Sequence, residues 1–133
     1  MSQVIIHTDG SCRPNPGPGG WAAILTCGEH QKAISGGEAD TGINQMELTA
    51  VLKGLEALKK PCHVIIVTDS RNIIGWLLMG WKRKDAGVRR LCAEIETVIE
   101  AKQLIVEYEK VKSHSGDPMN ERADQLAVAA IPH

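Results

Sequence analysis

The chain contains no phenylalanine, and three tryptophans and one tyrosine are its only aromatic side chains. Aliphatic residues must therefore fill the core, and 43% apolar content over 133 residues is enough for one compact domain. No apolar run is long enough to span a membrane. Met1-Ser2-Gln3 leads into a short apolar run with neither the basic nor the long apolar region of a secretory leader, so a soluble cytoplasmic protein is expected. Neither sign of charge dominates. The formal net charge is −1, which gives no overall field drawing the chain to nucleic acid. Contact with a polyanion needs a local patch, and Lys82-Arg83-Lys84-Asp85-Ala86-Gly87-Val88-Arg89-Arg90 is one, although the same pattern also suits a solvated helix start. Cys12, Cys27, Cys62 and Cys92 form no C-x-x-C pair and have no histidine at zinc-finger spacing. Free thiols in a reducing compartment are the simplest account.

The order of elements predicts an α/β fold. Residues 3–9 read as a buried strand, 10–20 as a Gly/Pro loop, 21–26 as a second strand and 31–36 as a weaker third. Short connections make these three an antiparallel meander. Leu48, Val51, Leu52, Leu55 and Leu58 form one stripe of a helix over 44–59, with Asn44 as N-cap, Glu47 as capping-box partner and Pro61 as terminator. His63 to Thr68 is the next strand, parallel to the first because a helix separates them. Helices follow over 71–80 and 88–101, then a half-exposed edge strand over 104–111. A last helix spans 118–130, with Asp117 as N-cap and Pro118 as its first residue. No linker or repeat divides the chain, so residues 1–133 are expected to be a single domain.

Val4-Ile5-Ile6-His7-Thr8-Asp9 and Val64-Ile65-Ile66-Val67-Thr68-Asp69 echo each other. Each is an apolar run that ends on an aspartate. Ligands of open α/β sheets gather at the carboxyl ends of parallel strands. Side by side, the two runs place both carboxylates at one rim, where they need a cation or a shared proton. Glu47 and Asp124 lie at the margins of buried helix faces and are brought toward the same edge. Singly, each acid has a plainer reading: Asp9 starts a turn, Asp69 caps a helix, Glu47 closes a capping box, Asp124 is exposed. Together they form an all-oxygen donor set, which selects Mg²⁺, with Mn²⁺ as a substitute, over Zn²⁺. Two such ions would stabilise both the attacking and the leaving oxygen at a phosphodiester.

Thr8-Asp9-Gly10-Ser11-Cys12 with Asn15-Pro16-Gly17-Pro18-Gly19-Gly20 resembles the opening of type 1 ribonuclease H. Asn44-Gln45-Met46-Glu47-Leu48, Thr68-Asp69-Ser70, Val111-Lys112-Ser113-His114-Ser115-Gly116 and Asn120-Glu121-Arg122-Ala123-Asp124 continue the resemblance in order along nearly the whole chain. It implies a five-stranded mixed sheet, an antiparallel meander plus two parallel strands, with helices on both faces. It also implies Mg²⁺-dependent hydrolysis of the RNA strand of an RNA/DNA hybrid, leaving 5′-phosphate and 3′-hydroxyl ends. Asp9, Glu47, Asp69 and Asp124 would be the metal-binding carboxylates. His114 would move a proton to the leaving group or help product leave, and Glu121 would stand near the site. Substrate contacts would come from the loop from Cys12 to Asn15, from Asn44 and Gln45, and from Trp81, Lys82, Arg83 and Lys84. Trp76 and Trp21 are expected to be core residues. The chain departs from many relatives at Gly42 and Ile43, where a polar Thr or Asn is usual, leaving Thr41 as the nearest hydroxyl. The basic helical protrusion of larger relatives is absent or reduced to residues 81–84. A monomer without a membrane or protein partner is expected. Two rivals remain at this point: a DNA-directed nuclease or strand-transfer enzyme on the same fold, and a module that binds duplex without cutting it.

Overall fold

The computed structural model describes residues 2–112 and 116–133. Its elements run β1 (Gln3–Cys12), β2 (Gly17–Cys27), β3 (His30–Thr41), α1 (Ile43–Glu56), β4 (His63–Thr68), α2 (Arg71–Leu77), α3 (Ala86–Ala101), β5 (Ile105–Lys110) and α4 (Pro118–Ala129). One five-stranded sheet has the order β3-β2-β1-β4-β5. β1, β2 and β3 form the antiparallel meander, and β4 and β5 add in parallel. The expected mixed α/β sheet is therefore present.

Strand alternation divides the sheet into two faces. Val4, Ile6, Ala23, Leu25, Val64 and Ile66 share one face through their register. They pack into a continuous core with Leu48, Val51, Leu52 and Leu55 of α1 and Val88, Leu91, Cys92 and Ile95 of α3. The other face carries α4, and here the contact is close. A Cβ on Gly20 would lie 2.1 Å from the Ala127 carbonyl oxygen, and one on Gly37 would lie 2.2 Å from that of Ala130. Glycine in these strands serves backbone approach by a helix.

That contact explains the main difference from the sequence reading. The stretch 10–20 is mostly strand, with only 13–16 left as a connection, and β3 runs on to Thr41. Glycine composition signals a loop locally, whereas here it lets α1 and α4 press against paired strands. α1 also begins one residue early and ends at Glu56, three residues short of the expected limit. The Lys102 ammonium closes that end by donating to the carbonyls of Glu56, at 2.7 Å, and Leu58. α2 stops at Leu77, α3 starts at Ala86, and β5 is trimmed by a residue at each end. Trp21, expected in the core, is half-buried against Gly36. Trp76 does pack against the core. Among the described residues, no helix is long and apolar enough to cross a membrane.

Candidate active site

The parallel pairing of β1 with β4 ends at His7↔Val67. Beyond that point β1 continues only with β2, where Asp9 faces Ala22, while β4 continues only with β5. The two strands thus part at their carboxyl ends, and Asp9 and Asp69 stand at the notch. α1 crosses β1 at Gly10, where a Cβ would lie 2.4 Å from the Glu47 nitrogen. That close crossing brings Glu47 to the same notch.

Each plainer reading of the four acids is displaced by a specific contact. Asp9 lies inside a strand rather than at a turn. The side-chain cap of α2 is Ser70, whose Oγ accepts from the Ile73 N–H at 3.3 Å. Glu47 closes no capping box. Its carboxylate accepts from the Gly10 N–H, and the N-cap of α1 is Gly42, not Asn44. Asn44 cannot cap a helix in which it is already the second residue. Asp124 is half-buried and lies within hydrogen-bonding reach of Asp9. The predicted Asp117 cap of α4 is present, accepting from the Met119 and Asn120 N–H groups at 3.0 and 3.1 Å.

Carboxylate oxygens of Asp9, Glu47 and Asp69 lie within 4.8 Å of one another. Asp9 and Glu47 are 5% and 6% exposed, so little water shields them. Burial is the main reason the Asp9 carboxyl is pushed up to about 7. A hydrogen bond with Glu47 opposes that rise, and the charges of Asp69 and Asp124 add to it. Glu47 is also raised, first by burial and then by the charge of Asp9. Clustered acids that resist ionising together, with hard oxygen donors and, among the described residues, no sulfur or nitrogen in the group, fit a divalent cation of the Mg²⁺ class. Cys12, Cys62 and Cys92 are buried free thiols away from this donor set, and Cys27 is an exposed one.

The sequence of the chain matches the RNase H family model over residues 1–132. The chain belongs to the RNase H family. It is 48% identical to a ribonuclease H of Bradyrhizobium diazoefficiens over 93% of this chain and 86% of that one. Among solved structures it resembles the N-terminal RNase H domain of a Mycobacterium tuberculosis protein, with a TM-score of 0.85 and 24% identity over 98% of this chain and 94% of the other. It also resembles LC11-RNase H1, solved in complex with an RNA/DNA hybrid, with a TM-score of 0.79 and 25% identity over 96% of both chains.

At the start of α1, the helix that carries Glu47, this RNase H has a groove of about 340 Å³ lined by Asn15, Asn44, Gln45, Trp76, Lys82 and Lys84, among others. Of the remaining sequence candidates, Cys12 is buried, with Sγ 3.2 Å from the Pro14 carbonyl oxygen and 3.6 Å from that of Thr41. Trp81 is exposed, seated on Gly75 with the Arg71 guanidinium 5.9 Å from its ring centre. Arg83 is bound within the protein: it donates to both oxygens of Glu96 at 3.0 and 2.9 Å and to the Trp76 carbonyl at 2.8 Å. Glu121 is exposed in the first turn of α4. His114 lies outside the described residues.

Sequence reasoning missed Asn72 and His7, and it took Asn15 only as a substrate contact. Asn15 caps α1 through space, Asn72 binds Asn44 at 3.1 Å, and His7 is half-buried with Nδ1 unpartnered among the described residues. His7 is held below the ordinary histidine range by burial. Of Asn72 and His7, only Asn72 left a trace in the sequence, as a polar residue one turn past Asp69.

Proposed function

We propose that this ribonuclease H cleaves the RNA strand of RNA/DNA hybrids at the notch formed by Asp9, Glu47, Asp69 and Asp124. The convergence of three carboxylates within 4.8 Å is the observation that carries the reading. It favours an enzyme over a module that only binds duplex, because such a module gains nothing from burying mutually repelling acids. Membership of the RNase H family favours hybrid over double-stranded DNA as the target.

Two Mg²⁺ ions, or Mn²⁺ in their place, would be held by these four carboxylates. When bound, they would supply a nucleophilic water and stabilise the charge growing at phosphorus and on the leaving oxygen. The chain's own part is placement. The Gly10 N–H fixes the Glu47 carboxylate against β1. The Ser70 N–H donates to Thr68 Oγ1 at 3.1 Å, which sets the turn that carries Asp69. Attack by water at phosphorus breaks the bond to the ribose 3′-oxygen. The products are a 5′-phosphate and a 3′-hydroxyl. His114 would pass a proton to the departing oxygen, a role suited to an imidazole near neutral pH.

Asn15, Asn44 and Gln45 would meet the minor groove of the hybrid, with the main chain from Cys12 to Asn15 close to the sugars. Lys82 and Lys84 are exposed and would meet phosphates, and Trp81 would lie against a sugar or base. All four acids come from one copy, so a monomer suffices. Free thiols, one of them exposed, suit a reducing cytoplasm.

Purified protein assayed on a labelled hybrid, on double-stranded DNA and on double-stranded RNA, with and without Mg²⁺, tests the reading. Mg²⁺-dependent loss of the hybrid RNA strand is expected, and Asp69→Asn should abolish it. Activity that persists in Asp69→Asn, or a preference for double-stranded DNA, would overturn the assignment.

A further inference from the structure

Asn72 is the first polar residue of α2 whose side chain reaches another element, and it reaches Asn44. Its Nδ2 donates to Asn44 Oδ1 at 3.1 Å, and both residues are half-buried. Asn44 also lines the groove at the start of α1. A carboxamide has one accepting and one donating end. With Asn72 donating to one lone pair of its carbonyl, the Asn44 amide is held in one orientation, and its amino group keeps two hydrogens to offer a ligand.

The minor groove of any base pair carries purine N3 and pyrimidine O2 acceptors. A fixed donor matches them in every sequence, whereas a carbonyl turned outward would repel them. We propose that Asn72 is a positioning residue for hybrid recognition: it sets the orientation of the Asn44 amide so that a donor faces the minor groove. The proposal rests on hybrid cleavage as the activity.

Gln45 offers a parallel within the same turn. Thr41 Oγ1 is 3.4 Å from Gln45 Oε1, so this carbonyl too has a protein donor within reach. Adjacent amides in α1 thus both have their accepting ends engaged from inside the protein. Asn72 also links the helix bearing Glu47 to the one that follows Asp69. A role in spacing the acids is therefore the competing explanation, and the test must separate the two.

Steady-state cleavage of hybrid by the full chain should be measured for wild type, Asn72→Ala, Asn72→Ser and Asn72→Asp, each also in an Asn44→Ala background. Asn72→Ala should raise KM by about 3- to 10-fold, as expected for one lost hydrogen bond, with kcat within about twofold and the Mg²⁺-induced rise in Tm intact. Asn72→Ser keeps a donor and should recover part of the loss. Asn72→Asp offers only acceptors, turns the Asn44 carbonyl outward and should be the worst of the three. In the Asn44→Ala background Asn72→Ala should add nothing, because the two residues act as one unit. Additive effects, an unchanged KM, or a fall in kcat with loss of the Mg²⁺ shift would overturn the positioning role. A wild type that leaves hybrid intact would instead overturn the ribonuclease reading.

Discussion

Asn15 caps the helix that carries Glu47: from the connection between β1 and β2, its Oδ1 accepts from the Ile43 N–H at 3.1 Å. The helix has no cap of its own, since Gly42 at the N-cap offers no side chain. Cys12 secures the other side of that connection by placing its thiol among the carbonyls of Pro14, Gly17 and Thr41. One exposed asparagine thus serves both the start of α1 and the groove at that end of the helix.

Asn15→Ala should destabilise the protein by about 1 kcal/mol, the usual effect of losing an N-cap acceptor. Asn15→Asp keeps the acceptor and should fold as well as wild type, yet bind hybrid less tightly because it sets an anion beside phosphates. Urea unfolding and KM measured on the same preparations distinguish the two effects. Equal stability of Asn15→Ala and wild type would rule out the cap.

The acids give a pH dependence of definite sign. Asp9 titrates near 7 in the folded protein, well above its ordinary value of 3.8. The folded state therefore holds more protons than the unfolded state between these values, and stability falls as pH rises through that window. Metal-free protein should melt at a lower temperature at pH 8 than at pH 5. Mg²⁺ should restore the difference at pH 8, as a ligand of the native state alone does. In Asp9→Asn both the slope and the response to Mg²⁺ should shrink. Thermal melts with and without chelator check each part.

Hybrid binding should weaken with salt, and the basic residues should not contribute alike. Each lysine that meets a phosphate adds about 0.9 to the slope of log K against log salt concentration. Lys82→Ala and Lys84→Ala should each lower the slope by about that amount. Arg83→Ala should lower it far less, because Glu96 and the Trp76 carbonyl already hold its guanidinium. The Arg83–Glu96 pair is partly solvated, so Glu96→Gln should cost no more than about 1 kcal/mol of stability. Titrations with catalytically inactive Asp69→Asn protein across salt concentrations give the slopes.

Gly75→Ala tests the seat of Trp81. A Cβ there would lie 2.0 Å from the ring, so the indole must move. Tryptophan emission should shift, and KM for hybrid should rise more than kcat falls. An unchanged KM would remove Trp81 from the interface.

The sheet and the site were legible in the sequence to different depths. β1 and β4 stood out because apolar runs of strand length end on Asp9 and Asp69, and the α1 and α3 stripes because their apolar spacing is regular. The metal-type cluster followed from placing those ends side by side. Local rules failed where a distant partner decides the outcome. Gly19 and Gly20 read as loop residues until the helices crossing them are in view. Asn44 and Glu47 read as a capping box, although Gly10 takes the glutamate and Asn15 takes the helix start. Arg83 looks like one more phosphate ligand until Glu96, far along α3, is seen to hold it.

The acids at the notch belong to β1, α1, the turn after β4, and α4, so no contiguous fragment holds the set. A chain cut before α4 would therefore lack one acid of the proposed set. For the same reason, a divalent ion seated among them would act as a clasp across the whole molecule, joining its first strand to its final helix.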